Sequence, residues 1–211
     1  MNNYYFKTIT LIKTKSELKF YFKTDNLYIT KDSTLTCIGD VSLGENITFS
    51  GDVILKNGTI VEQGSNLINV SLGVNNNIRP YSILNNVNIG EYNTIGPFCF
   101  LRENVNIENN CIIGAHVEIT RSKISSNVKI SHYAFIGDAI IESDVIIGAS
   151  VIFCNSDGKI KQNSYIAFGV FLGSATLIIS PVSIGENAII GAGSVITKNI
   201  LSNERIIQKR N

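Results

Sequence analysis

Apolar positions recur along this chain with a period of six. From Leu43 it reads LGENIT, FSGDVI, LKNGTI and VEQGSN, then later IGEYNT, IGPFCF, LRENVN, IENNCI and IGAHVE, and near the end LGSATL, IISPVS, IGENAI and IGAGSV. An aliphatic residue opens each six, a Gly or small polar residue often follows, and a small or β-branched residue stands fifth. The period is too long for the alternation of a single strand and sustains no helical face, so each six reads as a short strand and a turn. Three such edges close a triangular coil, which predicts an all-β, single-domain parallel β-helix. The opening aliphatics then stack as interior ladders, each buried Ile or Leu contributing roughly 1.5–3 kcal/mol. Gly in second place suits the tight corner, and Asn in many fourth places tolerates a left-handed backbone. Stability follows from neighbouring coils, as in other solenoids.

Departures from the period mark where the coil must differ. Four repeats are one residue short, at 67–71, 84–88, 119–123 and 136–140, and each should tighten one corner. Residues 155–163 (NSDGKIKQN) break the frame, and their Gly, Asp, Ser and Lys content predicts an exposed loop ejected from the coil. Such loops reach a site or a neighbouring subunit. Residues 1–30 lack the repeat and read as an N-terminal cap over an open end whose unpaired strand edges otherwise favour aggregation. Residues 31–201 read as the β-helix. Residues 202–211, with Arg205, Lys209 and Arg210, form a tail that is either solvated or docked on a partner.

Charge and composition narrow the function classes. Eighteen Lys and Arg nearly balance seventeen Asp and Glu, so the chain has no general attraction for nucleic acid or an anionic membrane, and any anion site must be local. No apolar run is long enough to cross a bilayer. Lys7, Lys13, Lys15 and Lys19 interrupt the aromatic N-terminal stretch and leave no signal-peptide core, so the expected location is the cytoplasm. Cys37, Cys99, Cys111 and Cys154 form no CxxC pair and are expected to be buried reduced thiols, Cys154 in an inward slot.

Chemistry has few carriers. The two histidines, His116 and His132, both fall at turn places that project from the coil, where an imidazole is either merely solvated or free to act as a general base. Two histidines without HxxxH or clustered cysteines are a poor ligand set for zinc, and no metal is expected. No GxSxG elbow, Walker loop or dinucleotide fingerprint is present.

The segments GPFCFLREN, IGAHVEI, KISHYAFIGDA, IGASVIFCNSDG and LGSATLIISPVSIGENAIIGAGSVITKN, between about Ile95 and Asn199, carry a more specific resemblance. In this order, and essentially without gaps, they resemble the acetyltransferase domain of the bifunctional bacterial N-acetylglucosamine-1-phosphate uridyltransferase/glucosamine-1-phosphate N-acetyltransferase. Its nucleotidyltransferase domain has no counterpart here, so uridylylation is not expected, and Mg²⁺ has no evident task. The resemblance implies a left-handed parallel β-helix, a homotrimer with sites between subunits, and acetyl-CoA as co-substrate. It implies His132 as the general base, Glu118 as the carboxylate that orients it, and Asn155 as the loop residue that helps hold the acceptor amine. Each has a plainer reading, as solvated imidazole, turn carboxylate and turn-forming Asn. Ala149, Ser174 and Ala192 fall on positions lining the acetyl-CoA groove, where the repeat itself also asks for small residues. Lys209 falls where the family has an Arg against the coenzyme's phosphates, so charge is kept and bidentate geometry lost.

On the acceptor side the chain departs from the family. Arg102 matches a phosphate-binding Arg and Lys161 a loop Lys, but a family Lys one coil above Arg102 is Thr120 here. A Tyr becomes Phe135, a sugar-contacting Asn becomes Ile146 and a loop Tyr becomes Ser156. Each lost charged contact costs roughly 1.5–3 kcal/mol of binding. Arg121 or Lys123 is the available compensation. The resemblance therefore leaves open an N-acetyltransferase for glucosamine 1-phosphate or a close relative, one for a nucleotide-linked or non-phosphorylated amino sugar, and a non-catalytic trimeric scaffold.

Overall fold

A computed structural model describes residues 9–12 and 27–207 of the chain. Every strand pairing between named strands is parallel, and no helix occurs among the described residues. The chain winds as a solenoid of about ten turns. Each turn lays down up to three short edges, and the same edge of successive turns pairs in register.

On one side the pairing carries Leu43, Val61, Ile78, Ile95, Ile113, Ile130, Ile147, Leu172, Ile190 and Ile206 directly over one another. All from Val61 to Ile190 are fully buried, while the two ends of the ladder are partly covered. A second ladder runs Leu67, Leu84, Leu101, Ile119 and Ile136, and a third runs Leu72, Ile89, Ile107, Ile124, Ile141, Ile166 and Ile184. These opening aliphatics, together with fifth-place residues such as Ile47, Val53, Val117 and Val145, fill the interior. The last two sides form one bent sheet because strands such as Ile83–Ile89 and Phe100–Ile107 run round the corner between them.

Corner geometry follows repeat length. In the short repeats a single left-handed residue turns the bend: Asn69, Asn86, Arg121 and Asp138 all have φ between 47° and 56°. The repeat that begins at Leu101 keeps its sixth residue, and Glu103 and Asn104 both adopt positive φ there, 60° and 66°. The register shifts between Arg102 and Val105 to absorb the extra residue.

The opposite corner of the same side is turned by Tyr81, Phe98, His116, Tyr133, Ser150 and Ala175, all left-handed, at φ 58° to 60°. Four aromatic rings in a row stack flat there, with centroids 5.5, 5.0 and 4.9 Å apart and planes within 8°. Stacking of this kind contributes about 0.5–1.5 kcal/mol per pair, which offsets only part of the roughly 1–2 kcal/mol that a left-handed backbone costs each residue with a Cβ.

Within the stretch read as a cap, Ile9–Ile12 pairs with Thr34–Ile38 and Leu27–Ile29 pairs with Ile47–Phe49, both in parallel, so these strands continue the sheet. In the tail, Arg205–Ile206 extends the opposite side. Lys209 and Arg210 lie outside the described residues.

Candidate functional site

His132 is exposed on the aromatic-bearing corner, one residue before Tyr133. The registers on either side of this corner carry it into a column with Ala149, Ser174 and Ala192, one per turn. The hydrogen bonds Ser150 N to His132 O (2.9 Å), Ala175 N to Ala149 O (2.8 Å) and Gly193 N to Ser174 O (2.8 Å) fix that order. The neighbouring column changes character at the same level, from Phe98, His116 and Tyr133 to Ser150, Ala175 and Gly193. Above His132 the corner is therefore a shelf of small side chains and bare backbone, and below it a wall of rings. Close stacking demands Gly148 and Gly173 beneath the shelf, since a Cβ on either would sit 2.5 or 2.4 Å from the backbone nitrogen of Ser174 or Ala192. The imidazole Nδ1 of His132 accepts the Ala115 N–H at 2.9 Å, so the neutral ring carries its proton on Nε2.

The second corner is charged. Glu118 Oε1 accepts from Arg102 Nε at 3.0 Å and Nη2 at 2.7 Å, and Arg102 Nη1 donates to Glu103 at 2.5 Å. Arg121 grips Asp138 through Nε at 2.6 Å and Nη2 at 2.9 Å, and its Nη1 donates to the other oxygen of Glu103. Asn155, buried at the start of the ejected loop, donates its amide to Asp138. Gly137 makes room for that amide, because a Cβ there would lie 2.3 Å from Asn155 Nδ2. Hydrogen bonding from Arg121, chiefly, holds the Asp138 carboxyl below the usual range against the opposing effect of burial, with Asn155 and the charges of Arg121 and Lys161 adding to it. The same bond to Asp138 raises Arg121 further above its ordinary value. The loop beyond Asn155 is pinched by a bridge between Ser156 and Lys161 and by Asp157, which accepts the N–H groups of Lys159 and Ile160.

The residues singled out from sequence thus fall into groups. His132, Ala149, Ser174 and Ala192 share one corner. Arg102, Glu118, Thr120, Asn155, Ser156 and Lys161 gather at or near the other, with Phe135 half-buried on the strand between, paired to Glu118. Ile146 stands exposed on a different side of the solenoid. Glu118 has Arg102 as its recorded partner. Thr120 does not line an open pocket: it is fully buried, and its hydroxyl lies among Glu103, Arg102 and Arg121. The placing of Cys154 in an inward slot is corrected, since Phe153 fills the interior and Cys154 is half-buried beside it; all four cysteines are free thiols. Glu103 and Asp138 were not picked out, and the one signal for them is the count of residues in the corner repeats. Among the described residues no cluster of three or more His, Cys, Asp and Glu side chains is arranged to hold a metal, and no helix is long and apolar enough to cross a membrane.

Residues 83–156 match the family model described as the GMPPB C-terminal domain, and residues 163–198 match the bacterial transferase hexapeptide model of six repeats. The chain is similar to the bifunctional protein GlmU of Baumannia cicadellinicola subsp. Homalodisca coagulata, 40% identical over 185 residues that span 88% of this chain and 36% of that protein. It is 38% identical over 166 residues to the GlmU of Herminiimonas arsenicoxydans, covering 79% of this chain and 37% of that protein. The chain spans little more than a third of the length of these curated relatives. Among solved structures, LpxA of Bacteroides fragilis, a UDP-N-acetylglucosamine acyltransferase, shares the fold with a TM-score of 0.55 at 15% identity, over 84% of this chain and 68% of that one. The solenoid is the left-handed β-helix of hexapeptide-repeat acyltransferases.

Proposed function

We propose, on the premise that this chain is a homologue of the acetyltransferase region of GlmU proteins, that it transfers an acetyl group from acetyl-CoA to the amine of an amino sugar. The observation that carries this reading is the column His132, Ala149, Ser174, Ala192. A shelf of small side chains rising from an exposed imidazole fits a slender acyl-pantetheine arm, whose amides can meet the uncovered backbone. His132 then lies at the lower end of the shelf, beside the thioester. Acceptance of the amine proton at Nε2 requires the other neutral tautomer: the ring gives up its bond with Ala115 N–H, releases the Nε2 proton to solvent and takes one on Nδ1.

A homotrimer accounts for two further features. Exposed apolar rows flank the aromatic corner, with Ile83, Phe100, Ile152 and Val195 on one side and Ile60, Ile112, Ile146 and Phe171 on the other. Glu118 interrupts the first row and Asn77, Thr94 and Lys129 the second, and exposed apolar residues among polar ones suit a subunit interface. A neighbouring subunit seated there also brings its own charged corner and 155–163 loop toward His132, uniting the two groups of site residues that a single chain keeps apart. The donor and the amino-sugar acceptor are metabolites of the cytoplasm, which is where the reaction belongs.

The test is product analysis. Full-length protein with acetyl-CoA is offered glucosamine, glucosamine 1-phosphate and UDP-linked amino sugars, and the products are identified by mass spectrometry and amide-specific fragmentation. An N-acetylated sugar is the expected outcome. Acetyl-CoA bound without product from any acceptor contradicts the enzymatic reading and leaves the scaffold.

A further inference from the structure

Two guanidinium groups that converge on one point make a receptor for an oxyanion, because planar N–H donors match its geometry. Arg102 and Arg121, on successive turns, converge in this way, and the point they share is occupied by a side chain of the same protein. One oxygen of Glu103 meets Arg102 Nη1 and the other meets Arg121 Nη1, while the Thr120 hydroxyl donates to it at 3.3 Å. The remaining donors are engaged as well: Nε and Nη2 of Arg102 with Glu118, and those of Arg121 with Asp138. Within the ion-paired cluster two guanidiniums face three carboxylates, with the charge of Lys161 on the loop also acting on Asp138. Desolvation acts to raise the Glu103 carboxyl, but hydrogen bonds from Arg121 and Thr120 and the charges of both arginines hold it below the usual range.

Glu103 stands in the same column as Arg121, whose N–H binds the Glu103 carbonyl at 3.1 Å. Where Arg121 and Asp138 each turn their corner alone, this turn uses both Glu103 and Asn104 in left-handed conformation. From that column the Glu103 carboxylate reaches the next turn, as Arg121 in its turn reaches Asp138. We propose that Glu103 is a specificity determinant, a resident anion that fills the two-arginine receptor and makes the acceptor site select an amino sugar without a phosphate monoester. An incoming dianion has to displace Glu103 from both guanidiniums at once and then sit beside Glu118 and Asp138. A neutral sugar, or one bearing only its ammonium, meets no such opposition. The inference rests on the acetyl-transfer reading for what the site accepts, but not for whether the arginines are blocked.

The two are separated by measuring inorganic phosphate binding, without donor or acceptor, to full-length wild type, Glu103→Gln and Glu103→Gly by titration calorimetry at low ionic strength. Gln keeps the size of the side chain, and Gly suits the positive φ; circular dichroism and thermal melts establish that each is folded. Freeing charge-assisted donors strengthens phosphate binding by roughly tenfold or more in both variants. Phosphate affinity equal in wild type and folded variants, or higher in wild type, overturns the proposal. Turnover is the second reading: wild type prefers glucosamine over its 1-phosphate, and Glu103→Gln shifts that ratio toward the 1-phosphate. A wild type that prefers the 1-phosphate refutes the inference without touching the acetyl-transfer assignment, whereas absence of turnover alongside the binding change overturns only the latter.

Discussion

Replacing Phe153 and Cys154 separately by Ala probes the register of the solenoid where the loop leaves it. Phe153 is fully buried in the interior, and its strand pairs with that of Ile178 across the loop insertion, whereas Cys154 is half-buried with its carbonyl bound to Ser180 N–H at 3.2 Å. Phe→Ala at a closed interior site costs about 3–5 kcal/mol, the transfer term plus the cavity left behind. At roughly 2–4 °C per kcal/mol for a folded unit of this size, melting falls by about 6–20 °C. Cys154→Ala removes a small, partly solvated group, keeps the backbone bond and costs within about 0.5 kcal/mol. The turns after the loop contact those before it mainly through this one layer, so Phe153→Ala should also broaden or split the transition as the carboxy-terminal turns uncouple. Calorimetry and urea melts of the two variants measure both effects. A larger loss for Cys154→Ala than for Phe153→Ala refutes the register, and with it the argument that the ladder continues across the insertion.

Burial pushes Cys37 and Cys111 up to about 11 and Cys99 to about 12, so with Ellman's reagent at about pH 8 Cys154 should react first and those three only on unfolding. Equal rates for all four thiols contradict this. The Asp138 carboxyl is held low in the folded state, so the stability it contributes is complete above the ordinary Asp value near 3.9 and is lost as pH falls through its lowered native value. The gap in stability between wild type and Asp138→Asn should accordingly be constant at neutral pH and close in acid; a gap that widens in acid contradicts the pairing with Arg121. His116→Ala removes the ring between Phe98 and Tyr133 and should cost about 1–3 kcal/mol by urea melts, from two stacked pairs. Gly137→Ala forces Asn155 away from Asp138 and should cost about 1–3 kcal/mol, with a loss of acetyl transfer larger than the stability change explains.

The period of six was sufficient for the coil, because each interior ladder is a local matter of one aliphatic residue per edge. It also exposed the loop at 155–163 and the four short corners. The slot of Cys154 was legible but misassigned, since Phe153 stands six residues after Ile147 in the inward opening place and Cys154 is second. The charged network was hidden for a different reason. Glu103, Arg121 and Asp138 meet because the corner residues of successive turns stack in one column, which depends on left-handed residues and register in three dimensions. Tyr81, Phe98, His116 and Tyr133 did recur at intervals of 17 or 18 residues, a spacing equal to one turn, and that rhythm was a readable sign of the aromatic stack. The division of the site between two corners was beyond reach, because the period gives the faces of one turn and not their juxtaposition with a neighbouring chain.

The most direct test of the account is thiol release from acetyl-CoA by wild type and His132→Ala, each confirmed as folded, with glucosamine and glucosamine 1-phosphate as acceptors. His132 is exposed, with a backbone N–H as its recorded hydrogen-bond partner, so its removal should leave the melting temperature nearly unchanged while turnover falls about 100-fold or more, as loss of a general base requires. Wild-type turnover retained in His132→Ala contradicts the assignment of acetyl transfer to this corner.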